Sequence, residues 1–562
     1  MLQAFIAEGV DTMFGYPGGG IMPFYDRLYD YSGKLRHILV RHEQGAIHAA
    51  QGYARAKGVP GVVTVTSGPG ATNVITGIAD AMIDSTPLVV VTGQVGAALL
   101  GTDAFQETDV IGLTTPITKW NYQIRRAEDV AWAVARAFYI ARSGRPGPVV
   151  LDITKDAQVG LADFDYKPCS FIRSYDPNPV AAQDDIEMAA RMINEAEKPF
   201  VVFGQGIILS HAEEELKAFL SKTDIPAGST LLGLSAIPSD FPGYIGMAGM
   251  HGNVAVNVMT QKCDLLLAVG MRFDDRVTGK TSEYARNAKI IHIDIDASEI
   301  GKLIKTDLGI VGDAKDVLSR LTELVEKKDR SEWRTVAKMC YAVENNKVIN
   351  PELHPGGGHI NMGEVVDTVA DVTGGSAIIV TDVGQNQMIG ARYSRFTRSR
   401  SMITSGGLGT MGFGIPAAIG AKIALPDRQV CLFVGDGGLQ MTVEEFGTIL
   451  QERVGVKIVL MNNNWLGNVR MWQQLFYNSR YSFTRMINPD FKALAEAYGI
   501  EYGEVRERAE LKGAVEKMFA DDKAWLLNVE VKEAGMVFPM VPPGKGVSDI
   551  MLNENDWFDY GD

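Results

Sequence analysis

The stretch VGDGGLQMTVEEFGTILQERVGVKIVLMNNNWLG, residues 434–467, decides the fold. An apolar run from Gln429 to Val434 reads as a strand that ends at Gly435-Asp436-Gly437. A helical pattern starts near Leu439, and a second apolar run, Val456 to Met461, ends at Asn462-Asn463. Asp436 and Asn463 stand 27 residues apart, the length of one strand–helix–strand passage between parallel neighbours. Both then fall at carboxyl ends of strands, where open α/β sheets bind ligands. A carboxylate, an amide oxygen and the Trp465 carbonyl are hard donors suited to Mg²⁺, which keeps its other positions for phosphate oxygens and water. Gly435 and Gly437 let the backbone come close, and the helix start aims free N–H groups at a diphosphate. Either motif alone is more often a plain turn; their spacing favours a metal–diphosphate clamp.

The same alternation of a short apolar run, a Gly-rich turn and an amphipathic stretch recurs in GVVTVTSGPGATNVITGIADAMI (61–83), DLLLAVGMRFDD (264–275), KIIHIDIDASEIGKL (289–303) and AIIVTDVGQNQ (377–387). Such runs indicate parallel sheets buried on both faces. Residues 160–182 and 340–362 lack periodicity and read as linkers. The expected fold is α/β, with three doubly wound parallel-sheet domains at 1–160, 183–335 and 363–530. A tail, 531–562, is expected to lie over the active site.

Length agrees, since 562 residues exceed what one core organises. The 54 basic against 68 acidic residues give a net charge of -14, which disfavours nucleic acid or an anionic membrane as partner. Four scattered cysteines without a CxxC pair argue against disulfide or thiolate–metal frameworks and fit a reducing cytoplasm. No apolar run is long enough to span a bilayer. The N-terminus carries no cationic leader and enters a folded pattern at once, as if part-way along a first helix.

The GDG and NN pair is similar to the signature of thiamine-diphosphate enzymes. That cofactor needs a carboxyl group at its aminopyrimidine ring, in a semi-buried place where a proton can be shared. Glu43 is the candidate, following a short strand (His37 to Val40) and opening a helix; simple N-terminal capping is the alternative reading. The motifs YPGGG (16–20), RHEQGA (41–46), GYARA (52–56), TSGPGATN (66–73), GTDAFQE (101–107), TKWN (118–121), GMHG (249–252), RFDDRVTG (272–279), SGGLGTMGFG (405–414) and MVPPG (540–544) resemble the acetohydroxyacid synthase family across essentially the whole chain.

The resemblance implies that pyruvate is decarboxylated and its two-carbon unit transferred to a second pyruvate or to 2-ketobutyrate, opening branched-chain amino acid biosynthesis. It implies Glu43 as the thiamine-activating residue, facing a cofactor gripped by Asp436 of another subunit in a dimer or tetramer. It assigns Gly19 and Gln106 to developing charge, Phe105 and Lys155 to the approach, and Met250, Arg276 and Trp472 to the acceptor, with Trp472 favouring 2-ketobutyrate. Val383 and Met411 brace the cofactor; Gly384, Gln385, Asn386, Gly409, Gly438 and Gly467 join the clamp residues around the diphosphate. With VVFGQGI (201–207), it places FAD at Arg145, Gly204, Gly206, His251, Arg272, Asp294 and Asp313, either in a structural role or as an evolutionary relic. A small regulatory subunit is a further implied partner. The chain departs from the family at Asn386, where a His is usual, and at Asn468, where Met is common. A pyruvate oxidase passing electrons to FAD is the alternative on this scaffold.

Overall fold

A computed structural model describes residues 1–559 and contains three six-stranded sheets, each parallel throughout. The first runs, in spatial order, Arg36–Leu39, Thr12–Gly15, Gly61–Val65, Leu88–Gln94, Pro148–Thr154, Trp120–Ile124. The third repeats that order with Met402–Ile403, Ile378–Thr381, Val430–Gly435, Lys457–Asn462, Trp525–Glu530, Glu501–Val505. Central strands such as Leu88–Gln94 and Lys457–Asn462 are buried at every position, as helices on both faces require.

The middle sheet differs. Its order is Leu308–Val311, Lys289–Asp294, Leu265–Val269, Pro199–Phe203, Ala227–Ser229, Tyr244–Met247. The chain starts at Pro199–Phe203, steps outward to one edge through Ala227–Ser229 and Tyr244–Met247, then returns to Leu265–Val269 and runs to the other edge. Such a reversal of strand order is where doubly wound sheets open a crevice for nucleotide-like ligands. The reversal lies between Pro199–Phe203 and Leu265–Val269, so Gly204 and Gly270 open onto it.

The first and third units share one core. The Glu43–Lys57 helix crosses the Gly414–Ala424 helix closely enough that a Cβ on Gly420 would stand 1.8 Å from the Ala49 carbonyl oxygen. Ile47, Ala50 and Tyr53 pack there with Ile415, Ala418 and Ile419 in a single buried cluster.

One expectation needs correction. Residues 340–362 are not simply a linker: the Ser331–Glu344 helix continues through Asn345–Ile349 and Asn350–Leu353. The apolar faces at Trp333, Ala337, Cys340 and Val348 are buried against the middle unit, which holds the helix where Asn, Pro and His read as coil. Residues 160–182 carry no strand or helix beyond an Ile172–Tyr175 bridge, but Tyr175 is tied down by Lys119. The tail binds the middle unit through Val541 N–H to the Met250 carbonyl (2.8 Å) and a Gly279–Gly546 bridge. No helix among the described residues is long and apolar enough to cross a membrane.

Candidate active site

The strands flanking the clamp each sit one residue later than expected, at Val430–Gly435 and Lys457–Asn462, and pair Gly435 with Met461. The helix begins at Asp436 rather than near Leu439 and breaks after Met441. There the Thr442 hydroxyl donates to the Gly412 carbonyl instead of continuing the spiral. Asp436 and Asn463 thereby emerge side by side, 1% and 3% exposed. Asp436 Oδ2 accepts from Asn488 Nδ2 at 2.8 Å, and that amide also reaches Asn462 and Asn464 Oδ1 at 3.1 Å. Asn463 Oδ1 accepts the Trp465 N–H at 3.1 Å, while its Nδ2 donates to Gln385 Oε1. Burial raises the Asp436 carboxyl above the ordinary carboxylate range, the opposite of what a nearby cation would do. The donors are all oxygens, and the described residues hold no group of three His, Cys, Asp or Glu side chains placed for a metal. One carboxylate, one amide and a carbonyl match a cation that completes its shell from a phosphate ligand.

The neighbouring strand end, Ile378–Thr381, supplies the other bank of this crevice. Gly384, at φ +121°, caps the Gln385–Tyr393 helix, a conformation that L side chains rarely adopt. Asn386 Oδ1 and Asn468 Oδ1 are buried without a partner, and a Cβ on Gly435 would lie 3.5 Å from Asn386 Nδ2. Acceptor oxygens left open beside a glycine cradle fit the cation or water that a diphosphate would bring, rather than the anion itself. Asp382, fully buried, accepts the N–H groups of Val383, Gly412 and Gly414 at 2.8–3.0 Å, which fixes the turn carrying Met411. Ser405 donates to Asp80, and Gly406 and Gly407 N–H donate to Asp84 at 2.8 and 2.7 Å. Gly409 thus stays near Val383, where an added Cβ would meet Val383 at 3.8 Å. Gly437, Gly438 and Gly467 press against Leu466, Asp382 and Gln385 respectively.

A cavity of about 610 Å³ opens beside this crevice and extends over the reversal in the middle sheet. Of the residues singled out from sequence, Arg145, Gly206, Met250, His251, Arg272, Arg276, Asp294, Asp313, Val383, Gly409 and Trp472 all line it. Gly204 lies just behind, against the Gly270 carbonyl. The volume is within the range of small-molecule and cofactor pockets. Arg145 is held by Ser85, Asp296 and Glu299 at 2.8, 3.3 and 2.9 Å. Burial pushes the Asp294 carboxyl up to about 6 and the His251 imidazole down to about 4, so His251 is neutral at pH 7, with Nδ1 3.2 Å from the Pro539 carbonyl. Asp313 is engaged as an N-cap, accepting the N–H of Lys315. Arg276 forms an exposed pair with Asp275, weak enough to yield to another anion.

The remaining predicted residues form a second group on the first sheet. The N–H of Gln44 is capped by His42 Nδ1, so capping is done by His42 and the Glu43 carboxylate turns instead to Asn73, accepting from Nδ2 at 2.9 Å. Gln106, at φ +60°, lies over Gly68, where an added Cβ would sit 2.9 Å from the Gln106 carbonyl. Gly19 borders Gly20, whose N–H donates to Thr66. Lys155 opens a short helix after Pro148–Thr154, and Phe105 is 87% exposed. None of these five lines the cavity. Among the described residues no hydrogen bond joins Glu43 to Asp436 or Asn463. Instead Arg41 and His42 N–H groups anchor this helix start to Glu445 at 3.0 Å.

Sequence reasoning missed Asn73, Asp382, Asn488 and the Asp80–Asp84 pair as functional positions. Asn73 lay in a quoted motif without a role; the others act through distant partners or as isolated Asn and Asp positions.

Comparison with known proteins accords with this geometry. Family models match as the N-terminal thiamine pyrophosphate binding domain over residues 1–113, the thiamine pyrophosphate enzyme central domain over 186–321 and the C-terminal thiamine pyrophosphate binding domain over 382–529. The acetolactate synthase large subunit of Lactococcus lactis is 44% identical over 97% of this chain and 94% of its own. The isozyme 2 large subunit of Escherichia coli is 44% identical over 98% of both chains. A protein of Methanocaldococcus jannaschii, named as a probable acetolactate synthase large subunit, is 44% identical over 98% of this chain and 94% of its own. Three matched domains in this order, with kinship along nearly the full length, place the chain in the acetolactate synthase large-subunit family of thiamine pyrophosphate enzymes.

Proposed function

We propose that the chain condenses two pyruvates to 2-acetolactate and CO₂, and pyruvate with 2-ketobutyrate to 2-aceto-2-hydroxybutyrate and CO₂. One observation carries this reading: Met250, Arg276 and Trp472 line the same cavity as Val383 and Gly409, which supports a ketoacid acceptor pocket beside the cofactor crevice. Bound thiamine diphosphate supplies the carbon centre that takes up the electrons released on decarboxylation.

The chain's own residues bind, orient and move protons. Asp436, Asn463 and the Trp465 carbonyl would hold Mg²⁺, and the helix starts at Gly384 and Gly435 would turn N–H groups to the diphosphate. Glu43, oriented by Asn73, holds the proton at the aminopyrimidine nitrogen. Gly19 and Gln106 stabilise charge at the reacting carbonyl oxygen, while Phe105 and Lys155 line the entrance. Arg276 leaves Asp275 to take the acceptor carboxylate. Arg145, Asp294 and Asp313 would hold FAD at the middle-domain end of the cavity, where it would serve as a wall with no net electron transfer to perform.

The site is completed between two copies of the chain. Exposed apolar side chains support this on both halves: Phe105 on the first unit, and Phe483 and Ile487, 100% and 95% exposed, near the clamp. Met486 N–H donates to the Asn464 carbonyl, which keeps that loop at the clamp. The relatives' designation as large subunits supports a small regulatory partner, and the biosynthetic role supports a cytoplasmic location. Incubation with equal pyruvate and 2-ketobutyrate, with thiamine diphosphate, Mg²⁺ and FAD, should yield both acetohydroxy acids. Absence of both would overturn the proposal.

A further inference from the structure

The two walls of the cavity are stitched together by a buried ion pair that no step above uses. Gln387, Met388 and Ala391 of the Gln385–Tyr393 helix line one wall, and Arg392 follows them. Its side chain is 1% exposed and pairs at 2.6 Å with Glu344, 0% exposed, at the end of the Ser331–Glu344 helix. Arg392 Nη1 also donates to the carbonyls of His251 (3.0 Å) and Gly252 (3.1 Å). Glu344 accepts the Val254 N–H at 2.8 Å and Asn253 Nδ2 at 3.1 Å. Both partners therefore grip one short segment, 251–254. Among the described residues, Arg392 makes the hydrogen bonds between that segment and the helix.

Met250 directly precedes this segment. Its N–H donates to the Arg276 carbonyl at 2.8 Å and its carbonyl accepts from Val541 at 2.8 Å, so the loop is held on one side by these backbone bonds and on the other by the ion pair. A buried ion pair adds little net stability compared with an apolar pair of the same volume, but its directed bonds specify position. A guanidinium fork with two carbonyls and a carboxylate allows one placement of the loop.

We propose that Arg392 and Glu344 are positioning residues for acceptor choice. The pair sets the loop bearing Met250 against the opposite wall of Met388 and Trp472, and so sets the width of the acceptor end. The substrate named here rests on the function proposed above; the hold on the loop does not.

The test uses the full-length protein with two variants. Arg392→Met combined with Glu344→Gln leaves no unpaired buried charge, and the new amide keeps an oxygen for the Val254 N–H. Arg392→Lys keeps the charge but cannot fork between two carbonyls. The first readout is hydrogen–deuterium exchange of amides 249–254 without substrate. The double variant should exchange there about tenfold faster, with 385–393 little changed. The second is the ratio of acetohydroxybutyrate to acetolactate from equal ketoacids. It should fall about threefold while total turnover stays above about half, with Arg392→Lys in between. An unchanged exchange rate, an unchanged ratio, or an equal fall of both products with a lower melting midpoint would overturn the proposal. Should the wild-type chain make no acetolactate, the functional reading fails, and the exchange experiment still decides whether the pair holds the loop.

Discussion

If Glu43 of one subunit serves the clamp of another, Glu43→Gln and Asp436→Ala chains, each inactive alone, will complement when mixed. Neither change should unfold the chain. The amide introduced by Glu43→Gln keeps an oxygen for Asn73, whose bond to Glu43 is 2.9 Å, and the helix start retains its cap from His42; the expected loss is about 1 kcal/mol. In Asp436→Ala, Asn488 loses one acceptor but keeps Asn462 and Asn464. Removing the proton-holding carboxyl should cost about 10²–10⁴ in rate. Random reassortment makes half the dimers mixed, and each mixed dimer has one site with both residues intact and one with neither. Acetolactate formation should therefore return to about one quarter of wild type in a two-fold symmetric dimer. The assay dissociates and reassembles differently tagged subunits, checks mixing by native mass spectrometry, and measures acetolactate. A verified mixture no more active than the mean of its parents would show that each site is built within one chain.

Three further outcomes follow from the geometry. Trp472→Leu, which shortens one cavity wall, should reduce the preference for 2-ketobutyrate by about tenfold in a competition assay; an unchanged ratio removes Trp472 from acceptor choice. Asp294 has its pKa raised to about 6 by burial, so it gains its proton between pH 7 and pH 5 and, at the flavin site proposed above, would lose strength as a hydrogen-bond acceptor. Flavin affinity, read by fluorescence titration, should weaken as pH falls through about 6, and Asp294→Asn should flatten that dependence. Gly420→Ala would force a Cβ to 1.8 Å from the Ala49 carbonyl, a backbone atom that cannot swing aside. It should destabilise the chain by about 1–3 kcal/mol, seen as a lower thermal midpoint.

The placement of Asp436 and Asn463 was legible because chain length constrains it: one strand–helix–strand passage brings them to adjacent strand ends, and only the exact helix start and strand limits moved. Sheet type was legible for the same reason, since continuous Val/Ile/Leu runs require two covered faces. Strand order was not, because the alternation of strand and helix along the chain is the same whichever strand pairs with which; the middle unit's different order emerged only from its pairing. Glu43 gave its position but not its partner, as Asn73 depends on how the 66–73 turn folds over the helix. Residues 340–353 were misread because their polar composition hid a spacing at Trp333, Ala337, Cys340 and Val348 that buries one face. The Arg392–Glu344 pair spans 48 residues and two domains, and no local pattern announces a contact of that kind.

The central claim is that this chain forms a carbon–carbon bond and does not oxidise pyruvate. Following ¹³C-labelled pyruvate by NMR while an electrode records dissolved oxygen tests it most directly. The account predicts two pyruvates consumed for each CO₂, acetolactate as the product, and no oxygen uptake. One pyruvate consumed per CO₂, with equimolar oxygen uptake and acetyl phosphate and H₂O₂ formed in the presence of phosphate, would contradict it.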